Sequence, residues 1–126
     1  MLRGDQFYMG LALRVATVGQ GICKQDPMVG SVIVKNGRVI SSGYHGAPKS
    51  LHAEAMAIER ADHRITDADL YVTLEPCCHV GNNPPCVDAV IASGVRRVII
   101  AMLDPNPIVK SCDSIVQLKE AGIEVV

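Results

Sequence analysis

The sequence predicts an α/β protein in three layers, a five-stranded mixed sheet with helices on both faces. Three observations carry that prediction. Helix-period stripes and β-rich runs alternate in the order α-β-β-α-β-α-β-α-β. The first two strands are joined by Asn36-Gly37, a dipeptide suited to two-residue hairpin turns. The later strands are short, continuous apolar runs such as "VIIAML", as expected of strands covered on both sides. The chain has 126 residues, 48% apolar and 20% charged, so residues 1–126 are expected to form one domain with a core of its own.

The elements follow in order. Asp5 is expected to cap a first helix to about Val18, with Tyr8, Leu11, Ala12, Val15 and Val18 on one stripe and Gly19 and Gly21 beyond its end. Val29–Val34 and Val39–Tyr44 flank the hairpin turn. A second helix is expected from about His52 to Asp62, with Ser50 as its cap, and Asp69–Leu74 reads as a strand. Asn83-Pro84-Pro85 suits the start of a third helix, which runs to Ser93 with Val87, Val90 and Ile91 inward and Gly94 as its stop. Arg97–Leu103 reads as a buried strand, Ser111–Ala121 as a last helix, and Ile123–Val126 as a last strand.

Composition excludes several function classes. A formal charge of −1 offers little to a polyanion. The aromatics are Phe7, Tyr8, Tyr44 and Tyr71, with no Trp, which is a poor platform for stacked single strands. No nucleic-acid partner is expected. Nor is a membrane, because no apolar run approaches the ~20 residues of a spanning helix. The opening "MLRGDQFYMG" lacks the apolar core of a signal peptide, so a cytoplasmic protein is expected. In that compartment clustered thiols read as metal ligands or catalysts before disulfides, and the count of five cysteines is odd.

The chemistry concentrates in "HAE" and "TLEPCCHVGNNPPC". His52 and Glu54 fall at the start of the second helix, Cys77 in the loop after the third strand, and Cys86 at the start of the third helix. Both βα connections leave one end of the sheet, where open α/β sheets place their sites. One imidazole and two thiols can therefore converge and leave a fourth tetrahedral position open, as catalytic zinc sites do. The helix dipole favours the Cys86 thiolate. Glu54, two residues from a ligand, can shuttle a proton for water held there. The bland readings are a structural zinc site, inert buried thiols, or a first-turn acid. A closed site wants a fourth ligand, and Cys78 is expected to pack rather than ligate. Cys23 and Cys112 read as bystanders.

Zinc deaminases combine an H-x-E element with a later P-C-x-x-C element. Here the second thiol lies nine positions after the first (86 − 77) rather than three. That spacing, with "PMVGSVIVKNGRVI", "LYVTLEPCCHVGNNPPC", "GVRRVIIAMLDPNP" and "LKEAGIEV", resembles the pyrimidine deaminases of riboflavin biosynthesis almost end to end. The resemblance implies a cytidine-deaminase-like sandwich and one zinc per chain on His52, Cys77 and Cys86. It implies Glu54 as proton shuttle, and His45, His79, Asp104 and Asn106 around the substrate. It also implies a homo-oligomer; many members carry a second, reductase domain, which is not seen in this sequence, so a reductase is expected to be absent or supplied by another chain. Asp104 and Asn106 lie in "DPNP", which is equally a turn.

Three departures bear on the substrate. Asp26 stands where the family usually has Asn, and Asn82 and Asn83 stand where it usually has a basic residue and Thr. The segment after "DPNP" reads "IVKSCDSI" instead of being Gly-rich and basic. A lost cation and a gained anion disfavour a phosphate, although Asp26 could also merely brace its loop. The expected function is zinc-dependent hydrolytic deamination of an aminopyrimidine, by resemblance diaminohydroxyphosphoribosylaminopyrimidine. The alternative keeps the chemistry on an unphosphorylated base or nucleoside-like compound.

Overall fold

The computed structural model describes residues 3–17, 29–45, 52–62, 65–76, 86–102 and 113–126. Within them the elements follow the predicted order: α1 (Arg3–Ala16), β1 (Gly30–Lys35), β2 (Arg38–Tyr44), α2 (Ala53–Arg60), β3 (Asp69–Val72), α3 (Cys86–Ser93), β4 (Arg97–Ile100), α4 (Ser114–Glu120) and β5 (Glu124–Val125).

The hairpin forms where the Asn-Gly pair places it. Asn36 and Gly37 both take positive φ, 53° and 74°, which matches the twist of the strands they join. The sheet has the order β2-β1-β3-β4-β5. β1 is antiparallel to both neighbours, and β3, β4 and β5 are parallel, so the sheet is mixed as expected.

Strand alternation divides the core in two. Val32, Val34, Tyr71 and Ile99 point to one face and pack under Met9 and Ala12 of α1. Ile33, Leu70, Val72 and Val98 point to the other face. There they meet Ala57 and Ile58 of α2, Val87 and Val90 of α3, and Leu118 of α4. This is the three-layer sandwich. Both faces bring a helix backbone unusually close to the hairpin. A Cβ on Gly30 would stand 2.1 Å from the Ala12 carbonyl oxygen, and one on Gly43 2.2 Å from that of Ala53.

Asp5 is not a cap. α1 begins at Arg3, and Asp5 lies within its first turn, 2% exposed. Its carboxylate accepts hydrogen bonds from the Tyr71 hydroxyl at 2.5 Å and from Arg97 Nη2 at 2.7 Å. Arg97 also reaches Asp69 at 3.3 Å, and Arg96 Nε closes on Asp69 at 2.8 Å. A carboxylate this buried must be paired, and the pairing fixes α1 to the starts of β3 and β4. Burial and the Asp5 hydrogen bond push the Tyr71 phenol well above its ordinary range. Burial pulls the Arg97 guanidinium down, but Asp5 and Asp69 outweigh it and the net shift is upward.

Smaller corrections concern ends. β3 stops at Val72 rather than Leu74, and the last strand is only Glu124–Val125. Gly94, at φ 87°, stops α3 as expected. α4 starts at Ser114 because Asp113 caps it, its carboxylate accepting the amides of Ile115 and Val116 at 3.1 and 3.2 Å. Val18, Gly19, Gly21, Ser50, Asn83, Pro84, Pro85, Leu103 and Ser111 lie outside the described residues.

Candidate metal and catalytic site

β2 is antiparallel to β1, and β1 to β3, so β2, β3 and β4 run the same way. Their C-terminal ends share one edge of the sheet, and α2 and α3 begin there. His45 directly follows β2, His52 and Glu54 open α2, and Cys86 opens α3.

His52 occupies the N-cap position of α2 with an extended backbone, φ −71° and ψ 164°. Its carbonyl accepts the first helical amide, from Met56, at 2.9 Å. Its side chain makes no capping hydrogen bond and turns instead to α3, where Nδ1 lies 2.8 Å from Cys86 Sγ. The His45 ring stands edge-on to that of His52, with centroids 5.1 Å apart. His45, Glu54 and Cys86 are each buried, and His52 is half-buried. Glu54 and Cys86 both sit in first turns, where the partial positive charge of the helix N-terminus favours their anionic forms.

The structure thus brings His45, His52, Glu54 and Cys86 to one edge. Asp26, Cys77, Cys78, His79, Asn82, Asp104 and Asn106 lie outside the described residues, as do Cys23 and Cys112. Among the described residues no three metal-ligating side chains form a cluster. The pair that is described suits zinc in its chemistry, since imidazole and thiolate are that ion's preferred donors.

Sequence reasoning missed what lies beneath this edge. Ser31 Oγ, on β1, donates to the Ala53 carbonyl at 2.7 Å, and Ser41 Oγ, on β2, donates to the Ala57 carbonyl. For Ser31 the signal was a hydroxyl beside the apolar run "VIV" of β1.

The sandwich and the imidazole–thiol pair at its strand ends define the class, an α/β/α domain with donors for a soft divalent metal. The family model described as the cytidine and deoxycytidylate deaminase zinc-binding region matches residues 2–102. The riboflavin biosynthesis protein RibD of Aquifex aeolicus is 48% identical over 121 residues, covering 96% of this chain and 34% of that protein. The diaminohydroxyphosphoribosylamino-pyrimidine deaminase of Buchnera aphidicola is 41% identical, covering 96% of this chain and 82% of that one. Among solved structures, the diaminohydroxyphosphoribosylaminopyrimidine deaminase/5-amino-6-(5-phosphoribosylamino)uracil reductase of Thermotoga maritima superposes with a TM-score of 0.91. It is 41% identical, and the match covers 97% of this chain and 35% of that one. The chain therefore spans about a third of the length of the RibD proteins it matches. It belongs to the zinc-binding cytidine and deoxycytidylate deaminase family, in its riboflavin-biosynthesis branch.

No helix among the described residues is long and apolar enough to cross a membrane.

Proposed function

We propose that this chain is a zinc-dependent hydrolase that deaminates diaminohydroxyphosphoribosylaminopyrimidine. The observation that carries the reading is the 2.8 Å approach of His52 to Cys86, with Glu54 buried two residues along the same helix start. The Buchnera relative, matched over most of its length, supports the substrate. The relatives give an unphosphorylated base or nucleoside-like substrate no support.

On this reading His52, Cys77 and Cys86 hold one zinc ion per chain. Zinc supplies Lewis acidity that lowers the pKa of water toward neutrality. The chain's own groups do the rest. Glu54 accepts a proton from the attacking water, whose oxygen adds to the amine-bearing ring carbon. Glu54 passes that proton to the adjacent ring nitrogen, then carries the remaining proton of the added hydroxyl to the exocyclic amine, which leaves as ammonia as the C–N bond breaks and the ring carbonyl forms. Burial of Glu54 keeps bulk water from competing for those protons. His45, buried against His52, borders the substrate, and Asp26, His79, Asn82, Asp104 and Asn106 complete the contacts. Residues 1–126 act as one deaminase domain in a cytoplasmic homo-oligomer. A reductase partner takes up the product, in keeping with the two activities named for the Thermotoga protein.

Ammonia release from the zinc-loaded protein tests this, with the phosphoribosyl diaminopyrimidine and its dephosphorylated form offered separately. Release from the first and not the second is expected. The Glu54→Gln variant should keep its zinc and lose about 10²–10⁴-fold in kcat, the usual range for a positioned acid–base group. Unchanged turnover in that variant would sink the mechanism.

A further inference from the structure

α2 carries both His52 and Glu54, yet it spans only Ala53–Arg60 and has no side-chain N-cap. A helix that short is not stable by itself and takes its position from what it packs on. Beneath its first turn lies β1, a strand flanked on both sides. Ser31 of that strand is fully buried, and its hydroxyl donates to the Ala53 carbonyl at 2.7 Å. That carbonyl belongs to the peptide group joining Ala53 to Glu54, one residue beyond His52.

Ser31 pairs across the hairpin with Gly43, where a Cβ would stand 2.2 Å from the same carbonyl oxygen. Gly43 lets the helix come down, and Ser31 is the group that meets it. In an α-helix this carbonyl also accepts the amide of Ala57, so the hydroxyl is a second donor and not its sole partner. Losing it leaves no stranded acceptor, and the consequence is a change in position more than in stability. We propose that Ser31 is a positioning residue, whose hydroxyl holds the first turn of α2 at the depth at which His52 and Glu54 work. The proposal rests on the deaminase reading for the roles of His52 and Glu54, while the placement it asserts is separate from any substrate.

Ser41 supplies an internal control. It donates to the Ala57 carbonyl one turn further on, away from His52 and Glu54. Ser31→Ala and Ser41→Ala remove the same kind of bond from the same helix. Three readings are compared in the full chain: zinc affinity by chelator competition, amide exchange along α2, and steady-state kinetics. Ser31→Ala is expected to weaken zinc binding about tenfold, in the range for groups that orient metal ligands. It should lower kcat about tenfold with KM within twofold, and speed exchange of the Met56 and Ala57 amides. Ser41→Ala should leave zinc affinity and kcat unchanged and speed exchange at Ala61, whose amide bonds to Ala57. Ser31→Cys keeps the size with a weaker donor and should fall between wild type and Ser31→Ala; it stands in if the alanine variant does not fold. Equal effects of the two alanine variants, or wild-type zinc affinity in Ser31→Ala, would overturn the proposal. If no substrate turns over, the deaminase reading fails, while zinc affinity and amide exchange still decide the role of Ser31.

Discussion

At the scale of single residues, Asp5 marks where local reading stops. An acid near the start of a helical stripe fits a cap, and nothing nearby contradicts it. Its partner Arg97 lies 92 positions along the chain. What reassigns it is burial, which no window of neighbouring residues can report. His52, Glu54 and Cys86 were legible for the opposite reason. Their chemistry is unusual enough to stand out by type and spacing, and the fold has only to deliver them to one edge. The same cluster yields a pH dependence. Burial and the Asp5 hydrogen bond raise the Tyr71 pKa in the folded state. The stability tied to that shift is complete below the unfolded value of about 10 and is lost as pH rises beyond it. Urea unfolding between neutral pH and pH 11 should show wild type losing stability faster above pH 10 than Tyr71→Phe. The difference in slope should be at most about 1.4 kcal/mol per pH unit. Parallel curves would mean that the phenol ionises alike in both states.

Elements were the most legible level. Every helix and strand among the described residues was foreseen in order, because Asn36-Gly37, Gly94 and the apolar periodicities are local signals. Ends were less so. The cap of α4 is Asp113, hidden in a run of polar residues any of which could have served. How near an element lies to the sheet was not legible at all, since it depends on which small residue ends up opposite which helix turn. Gly43 is the clearest case. Alanine there would put a Cβ 2.2 Å from Ala53 O and 2.6 Å from Ala57 N, both backbone atoms of α2 that cannot swing aside. Gly43→Ala should cost about 1–3 kcal/mol in denaturant unfolding, as overpacking does, and should weaken zinc binding because the helix that lifts away carries His52. Unaltered zinc affinity in a destabilised variant would show that α2 moves as a body without disturbing its first residue.

At the scale of the whole molecule, the metal and the fold should support each other. An ion bound by the folded chain and not by the unfolded one stabilises by mass action, about 2.7 kcal/mol at a hundredfold excess over Kd. Thermal unfolding with zinc and with chelator should therefore differ by several degrees. Glu54→Gln should keep the difference and Cys86→Ser should lose it; a shift that survives Cys86→Ser would place the ion elsewhere. The same long reach that ties Asp5 to Arg97 also sets an order of assembly. As the chain emerges from the ribosome, α1 precedes the sheet, but the guanidinium that neutralises its buried acid comes only with β4. The hairpin and α2 contact each other across short sequence separations and can associate in the meantime. Met9 and Ala12 can meet Val32 and Val34 of the hairpin early, but the core they share with Tyr71 and Ile99, and the charge pairing of Asp5, are complete only when β3 and β4 arrive. Asp5→Asn should accordingly speed unfolding while barely slowing folding.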